Sequence, residues 1–427
     1  MDTVDRRTFL RVGGGAALAS ASLPWLLAAC GSGSGSASNL QLSNDKPTWQ
    51  KWFQTEGDQA KNAVKVGWTP REFSDENAYE AAIKTAGGSS KAPDLFTWQS
   101  SWGMKDVVDA GFVTDLTTQW DKEGDVYSAD LRKLFTFDGK TYGAPLYTAP
   151  WVVFYSTKVF DKYQLQPPTT WDELQHVLET LKGNGIAPLG ATVDGVWSFL
   201  WFQTLLVASD PELYQALTAG NAKYTDAGVV DVMNLWAQMI KAGYFTDPSS
   251  VTFSTRGTNF ATPFKQGKAA MAEMGTWYEA TFASAGMKPG VDYGAFILPR
   301  VKQDVPKTIV IESGPLCVSG HGRHKGSATK ALAWFMSKDG QQEWVKLTGF
   351  ISGRSDVASP SPVDRQITAD IKSGNYQQVS RYYEATPNDI VQTAIEEFQK
   401  FMLHPNDPTS ILNAIQTKAD SVWKTVG

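Results

Sequence analysis

Two cysteines in 427 residues rule out a disulfide framework, and four scattered histidines leave little from which to build an imidazole metal site. Neither sign of charge dominates. Thirty-nine lysines and arginines against 44 aspartates and glutamates give a net charge of −5, spread without runs, so the basic face that a nucleic-acid binder needs is missing. No G-x-x-x-x-G-K-[ST] phosphate loop and no G-x-S-x-G nucleophile elbow occurs, and neither Thr148 nor Ser156 has a base nearby in sequence. The longest apolar stretch, residues 12–27, is rich in Gly, Ala and Leu but too short and too weakly apolar for a comfortable membrane span. What the chain has in excess is tryptophan. Sixteen are more than the core of a chain this long requires.

The first 29 residues read as a processing segment. Asp5-Arg6-Arg7-Thr8-Phe9-Leu10 is a twin-arginine pattern, and Leu27-Ala28-Ala29-Cys30 resembles the lipobox at which bacterial lipoproteins are cleaved and acylated. An uncleaved anchor helix is the alternative, and either version places the folded part outside the cell membrane. Lipidation of Cys30 would add the two or more acyl chains that stable anchoring requires. Residues 30–43, Gly/Ser-rich with Asn and Gln, read as the acylated cysteine and a flexible tether. Cys317 is then left without a partner, and its setting Gly314-Pro315-Leu316-Cys317-Val318 predicts a buried strand thiol.

The length allows two to three domains. Residues 137–174 show how they are joined. Asp138-Gly139-Lys140 is a tight polar turn, Tyr142-Gly143-Ala144-Pro145 leads out of it extended, and 151–155 is a short apolar run that predicts a buried strand. A helical turn at 158–163 is stopped by Pro167-Pro168, and Thr170 or Thr169 caps a new helix whose first turn carries Asp172 and Glu173. Elsewhere strands and helices alternate: helices at 48–53, 77–85, 102–110, 197–207, 229–242, 325–336 and 340–347, strands at 63–68, 93–98, 187–192 and 308–319. Such alternation predicts sheets covered on both faces.

The order D-G-K-x-Y-G-x-P, apolar strand ending in Tyr155, short helix, P-P-x-T-W-D-E-L resembles the extracellular solute-binding proteins of bacterial ABC importers, the family 1 group that includes maltose- and other oligosaccharide-binding proteins. Three further stretches resemble that family in its order: Pro93-Asp94-Leu95-Phe96; Phe264-Lys265-Gln266-Gly267-Lys268-Ala269-Ala270-Met271 with Gly275-Thr276-Trp277; and Gly349-Phe350-Ile351-Ser352-Gly353-Arg354-Ser355-Asp356. Two departures are mild: Tyr155-Ser156-Thr157 stands where Tyr-Asn-Lys is usual, and Ser352-Gly353 where Pro-Ala is commoner. The resemblance implies an α/β, two-lobed periplasmic-binding-protein fold of type II-like form, with a ligand cleft between lobes joined by a hinge of several segments. It implies an N-terminal lobe of residues 44–147 plus 299–337 and a C-terminal lobe of 148–298 plus 338–427. Residues 293–299 are expected as a return crossing. The family's apolar first strand is expected to be absent, the fold opening directly on a helix.

A sugar ring has an apolar C–H face and a polar rim, so a cleft tryptophan covers the one while polar neighbours bond the other. Trp98, Trp197 and Trp277 stand at predicted element ends and match aromatic platforms of oligosaccharide-binding relatives; Trp102 and Tyr147 join them by proximity. Trp201, Trp236 and Trp334 lie inside apolar helices and read as core. Asp194, Glu312 and Arg354 are the polar candidates, each equally able to cap a loop or form an interlobe pair. The acid that relatives carry after the Y-G-x-P turn is replaced near that place by Ala149. His321 and His324 read as a solvated loop. The expected protein is a carbohydrate-binding lipoprotein, monomeric, without cofactor or metal, delivering its ligand to an ABC permease. Other solutes (a glycerol-phosphodiester, a polyamine, iron) are the alternative within the class, with Arg354, Arg256 and Lys158 as the plausible cations for a phosphoryl group. An exported glycoside hydrolase is the alternative outside it.

Overall fold

The computed structural model describes residues 37–253 and 259–426. The proposed signal segment, Cys30 and Arg256 lie outside them. Two sheets organise the rest. In the first, Gly67–Glu72, Asn39–Asn44 and Leu95–Thr97 run parallel, and Pro315–Val318 and Ala144–Pro145 complete it. In the second, the order is Gln377–Ser380, Thr308–Glu312, Ala149–Ser156, Ala269–Gly275, Ala187–Leu189, with Tyr293–Phe296 paired to the later half of Ala149–Ser156. Helices flank both sheets, giving two α/β lobes.

Asn39–Asn44 corrects the expectation that the first strand is missing. Its sequence NLQLSN has only Leu40 and Leu42 to bury, which made it read as tether; the pleat turns both inward while Asn39 and Gln41 face out. The helix after it is also longer than expected. Gln50–Val64 ends on Lys65 in the left-handed region (φ 64°), so the next strand begins at Gly67 rather than at residue 63. Gly57 lets that helix lie against the strand, since a Cβ there would come within 2.2 Å of the Trp68 carbonyl oxygen.

Glu56, on the buried face of the same helix, has no hydrogen-bond partner on either oxygen. Burial first, and then the nearby Glu343 carboxylate, push it up to about 9 from an ordinary 4.5. Since the folded value lies above the unfolded one, Glu56 costs nothing below about pH 4, and its cost grows as pH rises toward 9. Glu56→Gln should therefore stabilise the protein by about 3 kcal/mol at pH 7 in urea unfolding, with no gain at pH 4. Equal gains at both pH values would show that the ionisation is not the cause.

The crossings between sheets differ from the expected boundaries. The first follows expectation, from Ala144–Pro145 through Leu146, Tyr147 and Thr148 into Ala149–Ser156. The second does not. The expected strand 308–319 is broken at Ser313-Gly314: Thr308–Glu312 pairs with Ala149 and Pro150 of the second sheet, whereas Pro315–Val318 pairs with Leu95–Thr97 of the first. The chain thus crosses at 313–314 rather than at 293–299. The Leu146 N–H donates to the Gly314 carbonyl at 2.9 Å, tying the two crossings together. Lys338–Thr348 likewise stays with the first lobe, where Trp344 stacks on Phe53 at 5.2 Å and its indole N–H donates to the Leu146 carbonyl. The third crossing comes after Ser355, since Arg354 and Ser355 still bond Tyr127 and Val126 of the first lobe, and Pro362–Ser373, capped by Ser361, belongs to the second lobe. Thr170 caps Trp171–Gly183 in a full capping box with Glu173, as its sequence predicts. Cys317 is a buried free thiol, pushed up by its burial.

Candidate functional site

Beside the paired crossings, aromatic side chains from three directions converge. Tyr147 sits in the first crossing; Trp277 follows the end of Ala269–Gly275; Phe350 follows the left-handed Gly349 (φ 76°) that ends Lys338–Thr348. Phe350 lies 5.5 Å from Tyr147 and 5.0 Å from Trp49, and Trp49 lies 5.8 Å from Tyr147. Across the gap Trp277 lies 5.5 Å from Trp197 and 6.4 Å from Trp151. Tyr147, Phe350 and Trp277 line a cavity of about 320 Å³, at the lower end of the ~300–1,000 Å³ typical of ligand pockets, with Trp49 and Trp197 packed behind them. Tyr147, Trp277, Phe350 and Ile351 form its apolar walls, and no lysine, arginine or histidine among the described residues lines it. The Thr148 hydroxyl at its edge is buried without a partner among the described residues.

Glu312 sits beneath the aromatic walls and holds them in place. Its Oε1 accepts from the Tyr147 hydroxyl at 2.7 Å, and its Oε2 accepts from the Trp277 indole N–H at 2.9 Å. Arg381 reaches the same Oε2 at 2.9 Å, and pairs through its other nitrogens with Glu384, Nε donating to Oε2 at 2.7 Å. The guanidinium also lies over the rings of Trp151 (5.5 Å) and Tyr383 (5.4 Å). Burial opposes the Arg381 charge, but Glu312 and Glu384 together hold its value above the ordinary one. Burial also raises Glu384, against the lowering effect of Arg381.

A second acidic group closes the cavity's far wall. Glu279 accepts from Tyr293 at 2.8 Å and from the Ser361 hydroxyl at 2.9 and 3.0 Å, while Asp364 accepts from Ser359 at 2.9 Å. Burial and then the adjoining Glu279 carboxylate keep Asp364 well above the usual carboxylate range.

Of the residues singled out in the sequence, four meet here: Tyr147, Trp197, Trp277 and Glu312. Four do not. The Trp98 ring packs at 6.1 Å from both Tyr79 and Phe96, and its N–H donates to the Gly103 carbonyl at 2.8 Å. With Trp102 it lines a separate cavity of about 440 Å³ that also includes Lys84 and Asn388. Trp102 meets Trp423 of the C-terminal helix at 5.1 Å, a contact between the lobes. Asp194 is exposed and accepts from Thr252, next to the 254–258 segment outside the described residues. Arg354 is the clearest correction. It is 6% exposed, forked onto Asp356 at 2.9 and 3.0 Å, bonded to Glu123 and to the Met336 carbonyl, and stacked 5.6 Å from Tyr127. Its donors are spent on the first lobe.

The sequence reading missed Arg381, Glu384, Phe350 and Trp49. Arg381-Tyr382-Tyr383-Glu384 did carry a signal, an arginine and a glutamate three residues apart flanking two tyrosines; the sole sign of Phe350 was its place beside Gly349. Trp201 and Trp236 are buried, as their helices predicted. His324 bonds Asp94 at 3.0 Å, and no metal-binding cluster occurs among the described residues.

The bacterial extracellular solute-binding protein family model matches residues 42–342. The chain belongs to that family. Relatives of this solute-binding protein include an ABC transporter extracellular-binding protein of Pyrococcus horikoshii, 25% identical over 67% of this chain and 64% of its own length. A probable sugar-binding periplasmic protein of Brucella melitensis is 26% identical over 53% of this chain and 54% of its own. The chain thus spans less than two thirds of the length of these relatives. Among solved structures, the solute receptor AcbH, with its preference for β-D-galactopyranose, superposes with a TM-score of 0.77 at 21% identity, covering 92% of this chain and 99% of that one. A chitin oligosaccharide binding protein gives 0.73 at 20% identity, over 91% of this chain and 100% of its own. These likenesses establish the two-lobed fold.

Proposed function

We propose that this solute-binding protein is the sugar receptor of an ABC importer, anchored outside the membrane by acylated Cys30, and that it takes a carbohydrate between Tyr147 and Phe350 on one side and Trp277 and Trp197 on the other. The observation that carries the reading is the cavity's lining. Aromatic faces with no cation among the described residues suit the C–H face of a pyranose. A phosphodiester would demand donors of positive charge that the described residues of the lining do not offer. The receptors of galactopyranose and chitin oligosaccharide share its fold, and the Brucella relative carries a sugar-binding name.

Closure of the lobes over the sugar would then be a shift of population, because the aromatics of both lobes touch the ligand at once only in the closed form. A hydrolase is disfavoured on geometry. Glycoside hydrolysis needs two carboxyl groups about 5–9 Å apart across a bond, whereas the two acids lining this cavity, Glu279 and Asp364, stand on the same wall, held there by Ser361 and Ser359.

Thermal melting of the chain from Gly31 onward against mono- and oligosaccharides, followed by calorimetry, tests this directly. One sugar family should raise the melting temperature by mass action, with no product formed. Silence across sugars together with a shift from phosphodiesters, polyamines or metal chelates would overturn the carbohydrate reading. Release of chromophore from chromogenic glycosides would overturn the receptor reading. Acylation is tested separately, by the mass of the membrane-extracted protein and its loss in Cys30→Ala.

A further inference from the structure

The first lobe carries a second, unrelated groove at the root of its first strand, with a volume of about 610 Å³. Its floor is an exposed face of the sheet, where Asn39 and Gln41 alternate outward beside Thr69 and Arg71 of the neighbouring strand. Its walls are the turn bearing Lys91 and the Arg323-His324 pair. The one acid in the groove is already engaged: Asp94 accepts from the Gln41 N–H at 3.0 Å and meets His324 Nδ1 at 3.0 Å. Arg71, Lys91 and Arg323 are exposed, and none forms an ion pair among the described residues. In a chain of net charge −5 this is a local reversal of sign.

The groove also lies where the chain leaves the fold. Ala37, two residues before Asn39, donates its N–H to Ser327, four residues after Arg323. From Cys30 to Ala37 is seven residues (37 − 30), a leash of at most about 25 Å when fully extended. A lipid on Cys30 therefore holds this face, and not the aromatic cavity, close to the bilayer. We propose that the groove docks on the membrane itself, its three cations binding the phosphates of anionic lipid headgroups. This placement rests on the acylation of Cys30 proposed above; the arrangement of charge does not. The leash supplies a high local concentration of headgroups, and the cations, acting within a Debye length of about 8 Å, orient the lobe.

The test uses the chain from Gly31 onward, which holds every described residue and has no lipid, so its outcome is independent of acylation. Co-sedimentation is measured with vesicles of phosphatidylcholine alone and of equal parts phosphatidylcholine and phosphatidylglycerol. The protein should partition to the anionic vesicles, less so as salt rises. Arg71→Gln, Lys91→Gln and Arg323→Gln together should lower that partitioning on the order of a hundredfold, at about fivefold per cation. A control with the same charge change on exposed residues of the second lobe, Lys241→Gln, Lys372→Gln and Lys424→Gln, should lower it far less. All six side chains are exposed, so both variants keep the fold and melt like the parent. Equal sedimentation with both vesicles, or equal loss in both triple variants, overturns the proposal.

Discussion

Arg381→Met is expected to cost about 3–5 kcal/mol of unfolding free energy at neutral pH, the largest single-residue effect on stability foreseen in this protein. The size follows from what is left behind. Arg381 sits 9% exposed between Glu312 and Glu384, both of which hydrogen-bond or ion-pair with it, and methionine fills its volume without replacing its charge. Two carboxylates would then face each other in a site already dry enough to raise Glu384 with the arginine present. Without it the folded value of Glu384 stands still further above its unfolded one, so the deficit is full above neutrality and shrinks as pH falls into the ordinary carboxylate range, where both folded and unfolded chains are protonated. Urea unfolding of the variant and parent at mildly acid and at neutral pH reads the difference. A deficit that does not shrink in acid would mean that lost packing over Trp151 and Tyr383, and not uncompensated charge, dominates. Because Glu312 also orients Tyr147 and Trp277, the variant should bind its sugar more weakly even where it remains folded.

Much of this fold was legible because helix and sheet signals were strong where the lobes are deepest. Ala149–Ser156 is an unbroken apolar run buried on both faces, and the Thr170–Glu173 capping box is set by local chemistry alone. What failed were short polar strands and sheet membership. Asn39–Asn44 owes its order to pairing with two partners, Gly67–Glu72 and Leu95–Thr97, which no local pattern announces. The break at Ser313-Gly314 moves half of one apparent strand to the other lobe, and the switch depends on the bond from Leu146 to the Gly314 carbonyl, a contact between segments far apart in sequence.

The site shows the same division. Trp277 stood out because it follows a recognisable element end and Tyr147 by its proximity to the other candidates, and both line the cavity. Arg354 was a polar candidate able equally to form a structural pair, and it is a first-lobe strut, since sequence does not reveal that Glu123, 231 residues away, will take its charge. Glu312 was chosen as a possible ligand acceptor, but its oxygens already receive a tyrosine hydroxyl, an indole N–H and a guanidinium. Its role in the structure is to position the walls.

Trp277→Ala should weaken sugar binding by about 10- to 100-fold, equivalent to ~1.5–3 kcal/mol of lost apolar contact and stacking. The indole is half-buried, stands in the cavity wall, and owes its orientation to one hydrogen bond with Glu312. Removing it leaves Glu312 still paired with Arg381 and Tyr147, so the floor stays compensated and the melting temperature without sugar should fall only slightly. Trp277→Phe separates the two roles of the ring. It keeps an aromatic face and drops the N–H, so a loss of only a few-fold is expected if stacking dominates. Trp98→Ala is the matched control: that ring is buried against Tyr79 and Phe96 and lines a different cavity, so the change should lower stability while the surviving folded protein binds with near-parental affinity. Calorimetry with the sugar found by melting screens, run on all three variants, reads both quantities. Parental affinity in Trp277→Ala would remove this residue from the site, and a loss confined to Trp98→Ala would move the ligand to the cavity that Trp98 shares with Trp102.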